Sequence, residues 1–318
     1  MKKTIKLILK LCVTFFLMGY VIITNDLRMA FVYFSQIPLV VWLVVFLLTC
    51  VAVSIGVVRT KLFLVNHSFM TLLRVRLIST AYSFILPGQM AAEGVRAYLL
   101  GKEDNNYGQS SAAVGLDKLI GVISLLVLGV VGLIVTRSLE WSIVITLTVF
   151  LVGLLSVILV LNITPVYTKI HGVLAFLSKK TGKIGKGFAF ALRIAESWQG
   201  YVNNKRLLLK NFAYGLFFQF FVAIICMLLT YGVGAGFYFF DWLWIHAMLT
   251  FVLLLPVSLG GMGIREGSLV GLLGFIGVEA EQALAVSFGF LAVQLAQAAA
   301  GFGFEIWATL QKRKSHEE

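Results

Sequence analysis

The chain has 318 residues, of which 60% are hydrophobic and 13% are charged, and its mean hydropathy is +0.97. A soluble core of this length cannot bury so much apolar surface, so the composition excludes a soluble globular fold and predicts an all-α polytopic membrane protein. The net charge of +12 would suit nucleic acid, but the positive residues lie at the ends of apolar runs, where they orient a membrane protein. We therefore expect no nucleic-acid partner.

Eight apolar runs predict about eight membrane helices. A helix that crosses the hydrocarbon core needs about 17 to 25 residues, and seven of the runs are long enough to cross. They lie near 5–24, 38–58, 116–136, 141–161, 211–232, 242–259 and 283–310, and a shorter eighth run lies near 264–278. The basic start of the chain resembles a secretory signal, but no small-x-small cleavage site follows. We interpret the first run as a retained helix.

The segment 77–100 departs from this pattern. Lys and Arg concentrate at both termini, in 162–210, and in 59–76, which begins near Arg59 and ends at Arg76. Such segments belong on the cytoplasmic side. If 77–100 crossed the membrane, the basic 162–210 segment would lie outside, so we predict a re-entrant helix–break–helix that enters and leaves on the cytoplasmic side. Both termini are then cytoplasmic.

The segment 162–210 interleaves apolar residues with Lys and Arg. This pattern predicts amphipathic helices on the inner membrane face, with affinity for acidic lipid. A solvated basic loop that only sets the topology is the alternative. Because no polar stretch reaches the roughly 50 residues of a separate soluble domain, we expect residues 1–318 to form a single membrane domain.

Two apolar runs contain the same frame, in which a proline is followed seven residues on by Gly and nine residues on by Arg. The two frames are Pro87-Gly94-Arg96 and Pro256-Gly263-Arg265. Proline and glycine interrupt helices, so each run predicts a helix broken at membrane depth. Broken backbone in lipid must line a cavity or be buried in protein, and paired broken segments point to a transport-type binding site.

Charged residues accompany both frames and form the predicted headgroup site. Its members are Glu93, Arg96, Arg265 and Glu266, together with Gly260, Gly261 and Gly263, whose amides can approach an anion at a helix start. Charged side chains at membrane depth cost roughly 2.5–3.5 kcal/mol, so they usually pair or face a cavity. Glu93 and Arg96 are three residues apart and should share a helix face.

Arg265 and Glu266 are adjacent, so we expect them to point in different directions and to need partners elsewhere. A pairing between the two segments, Glu93 with Arg265 or Arg96 with Glu266, would close a polar centre. The alternative is that both arginines are interfacial anchors at the cytoplasmic surface, with the acids as local helix-cap partners.

Five further residues support the site in this interpretation. They are Pro87, Gly88 and Pro256 at the two breaks, and Asp117 and Lys118 at the start of the run 116–136. A carboxylate at a helix start meets the positive end of the helix dipole, so capping explains Asp117 as well as function does.

Catalytic and cofactor signatures are missing from the sequence. The histidines His67, His171, His246 and His316 are scattered without a second ligand at helical spacing, so we expect no metal site and no cofactor. Neither a phosphate-binding loop nor a nucleophile elbow is present. We therefore favour a protein that is not an enzyme.

The two motifs resemble the lysylphosphatidylglycerol synthase transmembrane-region family, also called flippase-like. The resemblance rests on residues 76–88, 93–99, 112–121 and 256–267, and it extends over essentially the whole chain. Relatives commonly have Gly-Gly-Asp where this chain has Ala92-Glu93-Gly94, and Asp-Arg where it has Asp117-Lys118. Lys118 lacks the guanidinium fork that binds phosphate in a bidentate manner.

This resemblance implies translocation of lipid between leaflets by an inner-membrane protein. The expected ligand is a membrane lipid with an anionic or zwitterionic headgroup, or one linked to polyprenyl, held by Arg96 and Arg265. We expect no aminoacyl-lipid synthesis, because the chain lacks a soluble aminoacyl-transferase domain. A membrane enzyme or accessory subunit acting on polyprenyl-phosphate-linked sugars is the main alternative, and a structural scaffold is a third. Self-association or contact with pathway enzymes is left open.

Overall fold

The fold is helical throughout the part of the chain that the computed structural model describes, with thirteen helices and no strand in those residues. The described residues are 2–84, 86, 89–136, 141–162, 164–179, 182–236, 238–254 and 261–317. The helices are α1 Lys2–Thr24, α2 Leu27–Ser35, α3 Leu39–Phe63, α4 Phe69–Tyr82, α5 Gln89–Asp104, α6 Tyr107–Thr136, α7 Trp141–Asn162, α8 Thr164–Ser178, α9 Gly182–Val202, α10 Lys205–Gly232, α11 Phe239–Leu254, α12 Ile264–Gly274 and α13 Ala280–Glu317.

Four helices are long and apolar enough to cross a membrane, namely α3, α6, α10 and the part of α13 from Ala280 to Ile306. The bent pair α1–α2 makes a fifth candidate. These spans confirm the predicted all-helical membrane architecture. Shorter apolar helices lie in α7 and α11, and α12 has 11 residues, about 16 Å against a hydrocarbon core of about 30 Å. It stays a prediction that α7, α11 and α12 cross the membrane fully and that the chain has eight spans.

The first run forms one helix, as predicted, but it is followed at once by a bent second helix that the sequence interpretation did not include. Helical segments Thr14–Thr24 and Leu27–Ser35 meet at an angle of 83°. Asp26 caps the second segment, because its Oδ1 accepts hydrogen bonds from the amides of Arg28 and Met29 at 2.9 and 3.1 Å. Asp is among the preferred N-cap residues, so the bend has a local cause.

The predicted pair of helices near 77–100 is confirmed, because α4 and α5 are separate helices that follow each other there. Its arms are longer than predicted, because α4 already begins at Phe69 and α5 continues to Asp104. The two helices contact each other, while α4 packs mainly on α13 and α5 on α6. Entry and exit on one side of the membrane stay a prediction.

The segment 162–210 forms helices, as predicted. Helices α8 and α9 pair with each other, and α9 also packs on α6. Trp198 and Tyr201 join the apolar cluster between α3 and α6, and the Tyr201 hydroxyl donates to the Phe63 carbonyl at 3.1 Å. One face of α9 is therefore fixed to the helix bundle. Its contact with a membrane surface stays a prediction.

The main apolar core lies among α3, α6, α10, α11 and α13. Trp242 and Trp244 are fully buried in this core, and the Trp242 indole N–H donates to Thr230 Oγ1 at 2.8 Å. Two glycines bring α6 close to α11. A Cβ added to Gly132 would lie 2.6 Å from the Phe240 carbonyl oxygen, so that contact requires glycine.

Candidate functional site

A cavity of about 350 Å³ lies among helices α3, α4, α5, α6, α10, α11, α12 and α13. Its wall is mixed, with apolar residues such as Leu125, Val222 and Phe290 beside charged and amide side chains. The polar members are Thr49, Arg59, Arg76, Glu93, Arg96, Asp117, Lys118, Gln219, His246, Thr250, Arg265, Gln294 and Gln297. The cavity therefore brings the arginines of the two proline-to-arginine frames to one space.

Asp117 is the centre of the first polar cluster. It is 3% exposed, and its two carboxylate oxygens lie 3.0 Å from Arg59 Nη2 and 3.1 Å from Arg96 Nη2. Asn211 Nδ2 donates to Asp117 Oδ1 at 3.2 Å, and Thr60 Oγ1 contacts both Asp117 and Arg96. Buried charges are tolerated when they are paired and hydrogen-bonded in this way. The cluster joins α3, α5, α6 and α10.

Of the two explanations left open for Asp117, capping is wrong. Helix α6 begins at Tyr107 and not near residue 116, so Asp117 lies well inside the helix, where the N-terminal amides are out of reach. The preceding turns form a helix because Asn106 accepts a hydrogen bond from the Gln109 amide and extends α6 upstream. Asp117 is thus a buried ion-pair residue.

Glu93 and Arg96 share a helix face, as predicted. Arg96 Nη1 donates to Glu93 Oε2 at 3.1 Å, and Lys118 Nζ lies 3.7 Å from Glu93 Oε1. Glu93 therefore connects the first frame on α5 to Lys118 on α6. All three side chains line the cavity.

The second polar cluster surrounds Arg265. Its Nη2 and Nε lie 2.7 and 3.1 Å from the same oxygen of Glu266, and Nε also donates to Ser287 Oγ at 3.0 Å. Nη1 donates to Gln294 Oε1 at 3.2 Å. The expectation that Arg265 and Glu266 point apart is wrong, because the long guanidinium chain folds back onto its neighbour's carboxylate.

The predicted pairings between the two segments are also wrong among the described residues. Arg96 binds Glu93 and Asp117, while Arg265 binds Glu266. The side chains of both arginines are 7% exposed, so they are enclosed by protein and are not surface anchors. Each frame carries its own compensating acid.

The glycines before α12 form a helix start. Gly261 and Gly263 have φ values of +78° and +79°, which favour glycine. The Gly263 amide donates to Glu266 Oε2 at 2.6 Å, so Glu266 is a local helix-cap partner and occupies one amide predicted for an anion. Pro87, Gly88, Pro256 and Gly260 lie outside the described residues.

Sequence reasoning missed several polar residues of the cavity. Arg59 and Arg76 were assigned to a basic cytoplasmic segment, yet both line the cavity, with guanidinium carbons 5.9 and 5.6 Å from the centre of the Phe218 ring. The cavity residue His246 was also missed, as was Asn211, which donates a hydrogen bond to Asp117. Their signal was available, because Arg59, Asn211 and His246 each interrupt an apolar helical pattern and do not lie in a loop.

Comparison with protein families gives one result for this chain. The family model described as Lysylphosphatidylglycerol synthase TM region matches residues 7–301. Neither the comparison with curated proteins nor the comparison with solved structures found a match.

Proposed function

We propose, since the chain belongs to the lysylphosphatidylglycerol synthase transmembrane-region family, that it moves an amphiphile with a charged headgroup between membrane leaflets. The observation that carries this proposal is the single cavity to which both broken segments contribute Arg96 and Arg265. Broken segments that meet at a polar space within a helix bundle are the usual arrangement of a transport site. The protein is integral to the membrane.

The mixed wall of the cavity suits an amphiphile. A headgroup needs polar partners when it leaves water, and the arginines and amides of the wall supply them. The apolar remainder of the wall is compatible with the first part of the hydrocarbon tails, which stay in the bilayer. We place the protein in a bacterial-type inner membrane with both termini in the cytoplasm, on the evidence of the basic segments.

In this proposal, the headgroup competes with the carboxylates of the cavity for the two arginines. Arg96 and Arg265 are each paired with a carboxylate, Asp117 and Glu266 respectively. A phosphate can compete for the same guanidinium donors, since charge-assisted bonds to phosphate and carboxylate have similar geometry. Glu93 and Glu266 then balance the charge as the headgroup enters and leaves.

A reconstituted assay tests the proposal. Purified protein is inserted into liposomes that contain a fluorescent phospholipid, and a membrane-impermeant reductant reports how fast the label reaches the outer leaflet. We expect faster movement with protein than without it, and a roughly ten-fold or greater loss for Arg265→Ala, because its charge-assisted bonds are removed. Arg74→Ala is the matched control, since Arg74 pairs with Glu103 outside the cavity.

Equal rates in liposomes with and without the protein would contradict the proposal. Thermal unfolding of both variants in detergent separates a loss of movement from a loss of fold.

A further inference from the structure

Arg76 differs from every other cation of the cavity. Arg59 and Arg96 lie within 3.1 Å of Asp117, Lys118 lies 3.7 Å from Glu93, and Arg265 lies 2.7 Å from Glu266. Within the described part of the chain, no carboxylate oxygen lies within 4 Å of the Arg76 guanidinium.

The structure holds the Arg76 guanidinium in a fixed place at the wall. Its central carbon lies 5.6 Å from the Phe218 ring centre, a cation–π distance. On α3, Gly56 leaves room for it, because a Cβ on Gly56 would collide with the guanidinium carbon. The side chain is half-buried and lines the cavity. Because no carboxylate contacts the Arg76 guanidinium directly, its donors can bind an added anion.

The side chains of the whole site carry a net positive charge. Among the described residues, five cationic side chains line the cavity, whereas three carboxylates, Glu93, Asp117 and Glu266, pair with them. The excess is two positive charges. Uncompensated charge is costly away from water, and the interaction between charges is strong where the local dielectric constant is low. An anionic headgroup lowers this cost, while a cationic headgroup raises it.

We infer that Arg76 is the principal anion ligand of the cavity and that the site selects amphiphiles with a negatively charged phosphate headgroup over those with a net positive headgroup. This inference rests on the proposed function and names its substrate class. The planar fork of Arg76 matches two phosphate oxygens. Arg96 and Arg265 then act as secondary contacts, because carboxylates already occupy them.

The headgroup inferred for this chain differs in charge from that of the lipid in the family's name. A lysyl ester of phosphatidylglycerol carries two ammonium groups and one phosphate, so its headgroup has a net positive charge. Such a headgroup places ammonium groups beside the excess cations of this cavity. Phosphatidic acid and other lipids with an exposed phosphate have the complementary charge.

Binding to the purified full-length protein in neutral detergent tests this inference. The probes are dioctanoyl phosphatidic acid, dioctanoyl phosphatidylcholine, short-chain lysylphosphatidylglycerol and sodium phosphate, each titrated calorimetrically. We expect phosphatidic acid to bind most tightly, and Arg76→Gln to weaken it about ten- to hundred-fold, with a smaller loss for phosphatidylcholine, whose choline group offsets the phosphate charge. Arg74→Gln, two residues away on the same helix and outside the cavity, should change neither affinity.

Sodium phosphate distinguishes a lipid from a soluble anion. Weak binding of sodium phosphate supports a lipid ligand, whereas an affinity equal to that of phosphatidic acid overturns it. Arg76→Lys and Gly56→Ala keep the test decisive if Arg76→Gln does not fold. The first keeps the charge and loses the fork, the second displaces the guanidinium, and both should weaken phosphatidic acid selectively.

Equal affinities for phosphatidic acid and lysylphosphatidylglycerol, or full affinity in the Arg76 variants, would overturn the inference. This failure is distinct from failure of the proposed function. Selective binding of phosphatidic acid without movement between leaflets would contradict only the proposed function. Rapid movement that does not depend on Arg76 would contradict only the inference about Arg76.

Discussion

Asp117 shows how single residues hold this bundle together. Its carboxylate receives two guanidinium groups and one amide, from Arg59, Arg96 and Asn211, and it is almost fully enclosed. Removing one partner of a buried ion pair leaves the other charge without compensation, which costs more than the pair itself contributes. The residue should therefore matter for stability as well as for the shape of the cavity.

We predict that Asp117→Asn lowers the free energy of unfolding by about 3 kcal/mol or more, because the buried Arg59 loses its paired carboxylate and Arg96 keeps only Glu93. Titration of the detergent-solubilised protein with a denaturing detergent measures this change. Glu103→Gln is the control, since its pair with Arg74 is about one third exposed and such pairs contribute about 0–1 kcal/mol. Equal, small effects of both substitutions would contradict the role assigned to Asp117.

The sequence predicted some of these residues and not their partners. Spacing alone placed Glu93 and Arg96 on one face, and their contact at 3.1 Å confirms it. The partners of Asp117 come from residues 59, 96 and 211, and their meeting depends on how distant helices pack. Arg265 was predicted to need a distant acid because backbone direction was considered without the reach of a long side chain.

Among the helices, the close contact between α6 and α11 depends on two glycines of α6, Gly129 and Gly132. A Cβ on Gly132 would lie 2.6 Å from the Phe240 carbonyl, and a Cβ on Gly129 would lie 2.8 Å from the Ala247 Cβ. Small residues allow such close approach of membrane helices, where packing drives association. Both helices carry wall residues of the cavity, among them Asp117 and His246.

We predict that Gly132→Ala destabilises the protein by about 1–3 kcal/mol, because α11 must move away from α6 to avoid the new methyl group. Gly153→Ala on α7 is the matched control, since nothing lies within 4 Å of a Cβ there. It should be neutral or gain up to about 1 kcal/mol from helix propensity. Thermal unfolding of both variants in one detergent makes the comparison, and equal melting temperatures would contradict the packing argument.

Hydropathy predicted the long helices well and the broken ones less well. Helices α3, α6, α10 and α13 coincide with strongly apolar runs. The bend after Thr24 was not predicted, because it arises from a capping carboxylate and not from proline or glycine. The upstream extension of α6 was missed for a related reason, since its first turns are polar and lie outside the apolar run.

For the whole molecule, the cavity is the feature that relates the fold to the proposed function. The two proline-to-arginine frames predicted that two distant segments meet at a polar space, and the structure brings Arg96 and Arg265 to one cavity. Arg76 and Phe218 could not be predicted as wall residues, because they reach the cavity only through the packing of α4 and α10. The segments that contain these residues carry no motif that predicts a binding site.

In the proposed function, the amphiphile crosses the membrane through this cavity. Val222→Trp places a large ring in the cavity and leaves every charged residue unchanged. Val51→Trp is its matched control on an exposed face of α3. The decisive measurement is the rate at which fluorescent phosphatidic acid moves between leaflets of liposomes that contain each folded variant. The account predicts the protein-free rate for Val222→Trp and an unchanged rate for Val51→Trp, and movement by Val222→Trp at the wild-type rate would contradict it.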